Sequence, residues 1–205
     1  MDNLRIAITG GIGSGKSYIC RLLHESFGIS VYDCDAAAKR LMRTSPLLRR
    51  QLTELIGPEA YLPNGANGLQ KPDESQLNKA AVARFLLSSA ENAKAIDDIV
   101  HPAVADDFLQ STYQWLESAI LFQSGFDRRV HFDAIVCVTA PEEVRIQRIM
   151  VRDGICRERA EQWLSGQWPQ EEVIRRSDYE IINDCQRPLL PQIERIIEKL
   201  KNYKI

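Results

Sequence analysis

Near the start of the chain, Gly10-Gly11-Ile12-Gly13-Ser14-Gly15-Lys16-Ser17 matches Gly-x-x-x-x-Gly-Lys-[Ser/Thr], and no other feature constrains the fold as much. Its flanks give the match weight. Leu4 to Thr9 is a short, β-prone run that leads straight into the glycines, and Tyr18 to Phe27 reads as the helix that follows them. Strand, glycine loop and helix in that order form a cradle for phosphate. The glycine backbone bends around an anion, the loop N–H groups point at it, and the helix N-terminus adds positive potential. Gly11, Ile12, Gly13, Ser14, Gly15, Lys16 and Ser17 are therefore the expected nucleotide-binding residues. Lys16 is expected to act in catalysis by bridging the β- and γ-phosphates, and the Ser17 hydroxyl to ligate Mg2+.

Around this loop the pattern alternates. Strands are expected at 4–9, 29–32, 118–122, 134–138 and 180–182, with helices at 18–27, at 141–152 and from Leu189 onward. Five short strands alternating with helices imply an α/β protein whose parallel sheet is covered on both faces and whose ligands gather at the C-terminal strand ends. Between 36 and 116 only helical patterns occur, at 36–44, 46–56, 76–88 and 90–116, the last bent at Pro102, with a Gly/Asn/Pro-rich loop from Pro58 to Pro72. A chain of 205 residues, 44% of them apolar and 26% charged, is enough for one domain with one sizeable insertion and a real core.

Charge and cysteine usage narrow the classes further. The formal charge of −2 lacks the basic footprint of a general nucleic-acid binder. No stretch approaches the ~18 apolar residues of a membrane helix, and the first residues do not read as a signal peptide. Cys20, Cys34, Cys137, Cys156 and Cys185 contain no Cys-x-x-Cys pair and read as reduced thiols, so the expected setting is cytoplasmic.

Glycine-loop proteins include GTPases, motor ATPases and small-molecule kinases. The absence of an Asn-Lys-x-Asp run weighs against a GTPase. The expected third strand, Ala119 to Phe122, ends in Gln123 where a metal-holding acid would stand, which leaves Asp33 and Asp35 at the end of the second strand. One of these acids suits acceptance of a hydroxyl proton and the other suits Mg2+ held through water, although Asp35 also suits a helix cap. Residues 145 to 176 hold seven arginines and no lysine. Arg145, Arg148 and Arg152 fall at i, i+3 and i+7, on one face that either closes over ATP or is solvated and paired with acids.

Taken together, these residues resemble the dephospho-coenzyme A kinase family over nearly the whole chain. Thr9 to Ser17 is similar to its opening motif, Asp33-Cys34-Asp35 to its Asp-x-Asp, and His101-Pro102 to its His-Pro. Arg148 and Arg152 fit its Arg-x-x-x-Arg-[Asp/Asn] pattern, and Ser177-Asp178-Tyr179-Glu180-Ile181-Ile182-Asn183 resembles its late Ala-Asp-x-x-Ile-x-Asn segment. Two departures stand out, Gln123 where the family has Glu and Ser177 where it has Ala.

The resemblance implies a P-loop NTPase fold of the nucleoside-monophosphate-kinase type, with Mg2+ as cofactor and ATP and dephospho-CoA as partners, working as a monomer or weak homo-oligomer without nucleic acid or membrane. It implies Asp35 as catalytic base, Arg148 as a catalytic cation, Arg152 and Asn183 as further ATP-binding residues, and Asp33, Asp35 and His101 on the substrate. The expected organisation is a single domain, 1–205. Within it, 1–35, 117–150 and 177–205 form the nucleotide-binding core, 36–116 a helical substrate-binding insertion and 151–176 a small lid. Another small-molecule kinase, or a nonenzymatic nucleotide-binding regulator, are the alternative readings.

Overall fold

A computed structural model describes residues 4–62 and 76–202. The chain forms two compact units, one running up to Asp33 and resuming at Thr112, the other spanning Cys34–Ser111. In chain order the elements are β1 (Ile6–Thr9), α1 (Lys16–Phe27), β2 (Val31–Asp33), α2 (Cys34–Thr44), α3 (Pro46–Ile56), α4 (Lys79–Ser88), α5 (Ala90–Gln110), β3 (Trp115–Glu117), α6 (Phe126–Arg129), β4 (Ala134–Thr139), α7 (Glu142–Asp153), α8 (Arg157–Ser165), α9 (Gln170–Arg175), β5 (Tyr179–Ile182) and α10 (Leu189–Lys201).

The first unit is a five-stranded parallel sheet in the order β2-β3-β1-β4-β5. Its central strand, β1, is buried along its whole length, as a parallel strand covered on both faces must be. Ile6, Ile8, Val136, Val138 and Ile181 from the sheet pack with Ile19 and Leu23 of α1 and with Ile193, Ile196, Ile197 and Leu200 of α10. The four α10 residues fall at i, i+3, i+4 and i+7, which puts them on a single helix face. The parallel registers align Ile8 with Glu117 and Glu117 with Asp33. The C-terminal ends of β2, β3 and β1 therefore lie side by side at one end of the sheet.

The second unit is helical. Ser45, Asn78 and Ser89 cap α3, α4 and α5, each side chain accepting from the backbone N–H three residues on. Leu48 and Leu52 of α3 and Ile96, Val100, Val104 and Phe108 of α5 are buried, and Arg40 of α2 bonds Asp107 of α5 at 2.6 Å. Pro102 sits inside α5, as expected.

Two sequence expectations are corrected. The expected helix 90–116 ends at Gln110, and Trp115–Glu117 is the third strand. The expected strand 118–122 is a series of turns, in which Ser124 N, Gly125 N and Phe126 N donate to Ile120 O, Phe122 O and Leu121 O. Both errors have one physical cause. Trp115 and Leu116 are buried in the sheet beside β1 and β2, and that non-local burial outweighs local propensity, while Leu121 and Phe122 are buried without joining a ladder. The helical unit accordingly stops at Ser111, short of residue 116. Of the expected loop 58–72, Pro58–Ala60 is a single 3-10 turn and 63–72 lies outside the described residues. Among the described residues no helix is long and apolar enough to cross a membrane.

Candidate active site

The glycine loop joins the C-terminal end of β1 to the N-terminus of α1. Gly15 caps α1 at φ +95°, a left-handed backbone that side-chain-bearing residues seldom adopt, and a Cβ there would lie 2.2 Å from Asn183 Nδ2. The Lys16 Nζ lies 3.4 Å from Gly11 O and 3.7 Å from Glu117 Oε1. These two groups hold the ammonium across the loop, at the start of α1. Ser14 Oγ is buried without a partner, whereas Ser17 is exposed at the start of α1.

Side chains from α7, from Asn183 just after β5 and from Gln167 just after α8 hold the loop. Asn183 Nδ2 donates to Ser14 O at 2.8 Å. Arg148 Nη1 donates to Gly13 O and Ser14 O, both at 3.2 Å, while its Nη2 donates to Asn183 O at 3.1 Å, Asn183 Oδ1 at 3.0 Å and Cys185 Sγ at 3.2 Å. Arg145 Nε donates to Ile12 O at 2.9 Å, and Gln167 Oε1 accepts from Ile12 N at 2.7 Å. The carbonyls of Ile12, Gly13 and Ser14 are thus all engaged by these side chains. The planar guanidinium of Arg148 spans two segments at once, which a lysine cannot do. Arg148→Lys is therefore expected to weaken ATP binding about tenfold, read by equilibrium titration; unchanged affinity would mean that this bridge does not shape the loop.

Glu117, at the end of β3, is the acid beside Lys16, and reading the sequence missed it. Trp115-Leu116-Glu117 carries the signature of two apolar residues and an acid closing a strand, but it was absorbed into the expected helix. The electrostatics around Cys20 on α1 register the same cluster. Burial pushes the Cys20 thiol up to about 12, with Glu117 and Asp33 adding to the rise and Lys16 opposing it. Gln123 is not the strand-end residue it was expected to be. It is exposed, six residues beyond β3, with its Nε2 3.5 Å from Gly166 O. The strand end keeps its carboxylate.

A family model for dephospho-CoA kinase matches residues 4–188. The chain belongs to the dephospho-CoA kinase family. A dephospho-CoA kinase of Bacteroides fragilis is 38% identical over 201 residues, covering 95% of this chain and 91% of the relative. A solved protein of Thermus thermophilus superposes with a TM-score of 0.73 at 31% identity, covering 98% of each chain. Shikimate kinase of Acinetobacter baumannii shares the fold, with a TM-score of 0.59 at 16% identity over 100% of this chain and 97% of its own. The fold is that of a P-loop small-molecule kinase with a helical insertion.

Within this dephospho-CoA kinase fold the remaining expected residues are distributed unevenly. Asp33 ends β2, with β3 and Glu117 between it and the loop strand β1, so β2 is not the direct neighbour of β1. Asp35 is exposed in the first turn of α2. His101 on α5 is largely buried, its Nε2 3.5 Å from Asp97 Oδ1 one turn earlier, and burial pushes the Asp97 carboxyl above its ordinary range against the pull of His101. Arg152 is exposed and grips Asp153 Oδ2 through Nε at 3.0 Å and Nη2 at 2.7 Å. Beside Arg148 and Asn183 a cavity of about 830 Å³ opens, with Tyr18, Leu22, Pro188 and Leu189 in its walls. In the expected lid region 151–176, α8 packs on α7 through Ile146, Ile149 and Ala160, and Ile12 of the glycine loop joins that cluster.

Proposed function

We propose that this chain transfers the γ-phosphoryl group of ATP to the ribose 3′-hydroxyl of dephospho-CoA, releasing CoA and ADP in the last step of coenzyme A synthesis. The observation that carries the reading is a glycine loop with Lys16 facing Glu117 across adjacent parallel strand ends, in a chain matched to one kinase family over residues 4–188. The loop N–H groups and the α1 N-terminus hold the inner phosphates, and Lys16 follows the charge that migrates to the β–γ bridge. The cavity beside Arg148 and Asn183 suits the adenine, with Arg152 close by on the same helix. Asp35 accepts the proton of the 3′-hydroxyl, and Asp33 and His101 position the acceptor.

The donor set fits Mg2+. Ser17 offers a hydroxyl, and Glu117 and Asp33 offer carboxylates on neighbouring strand ends, all hard oxygen ligands. An ion of this kind is commonly held by one or two carboxylates together with nucleotide phosphates and water. When bound, Mg2+ supplies charge neutralisation at the phosphates. Glu117→Gln is expected to lower turnover about 10- to 100-fold and to raise the magnesium concentration needed for half-maximal rate, measured by magnesium titration of the initial rate. A fall in rate with unchanged magnesium dependence would limit Glu117 to orienting Lys16.

The reading includes operation in the cytoplasm, with which the five free cysteine thiols accord, and as a monomer or weak homo-oligomer. It is tested by ADP release from ATP in the presence of dephospho-CoA, adenosine, AMP or no acceptor. Release that depends on dephospho-CoA alone is expected. Release with adenosine or AMP would indicate a nucleoside or nucleotide kinase, and nucleotide binding without release in any arm a regulator.

A further inference from the structure

Arg145 is the most deeply buried charged residue among those described, 6% exposed. Its Nε is committed to Ile12 O at 2.9 Å, yet it forms no ion pair among the described residues and its two Nη groups find no acceptor there. Burial disfavours its charge, with Glu142 and Glu171 offsetting this only through the longer-range field. The Nη groups are not among the buried atoms without a partner, so they keep solvent contact, and a largely buried guanidinium with no carboxylate beside it and its donors still reachable is suited to meet an arriving anion. Securing one carbonyl does not require a charge.

The free donors have a definite place. A Cβ on Gly11 would lie 2.1 Å from Arg145 Nη2 and 3.1 Å from Gln167 Oε1, so both atoms flank the same edge of the loop. That Gln167 oxygen already sits on Ile12 N–H at 2.7 Å. An acceptor oxygen on a loop N–H, with a guanidinium alongside, is the arrangement a phosphate oxygen takes in phosphoryl-transfer sites. Ile12 lies four residues before Lys16, in the part of the loop that precedes the N-terminus of α1.

We propose that Arg145 is a ligand of the terminal phosphate of ATP, and that Gln167 Oε1 occupies the position of one of its oxygens until nucleotide displaces it. This rests on the kinase reading above and adds to it a residue that discriminates ATP from ADP. Arg145 then sets which nucleotide the loop prefers, because ADP has no group for it to meet. The bare glycine at position 11 is explained as well, since any Cβ there would occupy the space of the guanidinium.

The experiment compares the affinities of a non-hydrolysable ATP analogue and of ADP for the intact protein. Arg145→Gln is expected to weaken the analogue about 10- to 100-fold, the effect of a lost charge-assisted contact, while ADP changes less than about threefold. Arg145→Lys should recover part of the loss. Gly11→Ala, which displaces the guanidinium without removing it, should shift the same ratio in the same direction, and it decides the matter if Arg145→Gln proves too unstable to assay. Equal losses for the analogue and ADP, or no loss in either, overturn the proposal and leave Arg145 as a prop for the loop. Wild-type protein that binds neither nucleotide overturns the kinase reading itself.

Discussion

Replacing Lys16 by alanine is expected to lower turnover by at least about 10²-fold while the protein remains folded. The loss falls on the transition state. The Lys16 ammonium stands at the start of α1, 3.4 Å from Gly11 O and 3.7 Å from Glu117 Oε1, and its positive charge gains most from the phosphate charge that develops during transfer. An alanine methyl meets neither the β–γ bridge nor the migrating phosphoryl group. The fold should tolerate the change because α1 is anchored elsewhere, by Ile19 and Leu23 in the core and by the Gly15 cap. Single-turnover rates together with thermal melting separate the two effects. Turnover near the wild-type level would overturn the assignment of this loop to phosphoryl transfer, and unfolding would show that Lys16 is a structural cation.

Asp35→Asn is expected to cost between about 10² and 10⁴ in turnover and to leave ATP affinity within about twofold. An amide is close in size and shape to a carboxylate but cannot take the proton that leaves the attacking hydroxyl. Asp35 is exposed in the first turn of α2, and asparagine suits a helix start nearly as well, so little structural loss is expected. Measuring ATP affinity and the rate of CoA formation on one preparation distinguishes the roles. An equal loss of ATP binding would make Asp35 part of the nucleotide or metal site, and retained turnover would pass the role of base to Asp33, for which Asp33→Asn is the matching comparison.

The segment from β1 through the glycine loop to α1 is legible in the sequence alone, because its constraints are local. The strand, the loop glycines, the lysine and the helix are contiguous, and their conformations follow from the residues present. Helix starts were legible for the same reason. The pattern around Pro46 and Leu189 announces a start within a residue or two, and both helices begin where expected. What sequence could not supply was the identity of the strand-end acid. Trp115-Leu116-Glu117 differs little from the end of a helix until β1 and β2 are known to flank it, and the longer apolar run that follows is the stronger local signal.

The arginine-rich helix shows the same division. Spacing places Arg145, Arg148 and Arg152 near one face of α7, but the helix rises about 1.5 Å per residue, so the first and last stand roughly 10 Å apart along it. Only the docking of the glycine loop against the N-terminal part of α7 made them different. Arg145 is buried under Ile12, Arg148 bridges Gly13 and Asn183, and Arg152 remains exposed against Asp153. Periodicity specifies the face on which a side chain lies, and tertiary packing decides which part of that face is taken out of water, and therefore which of three chemically identical groups is left to seek an anion.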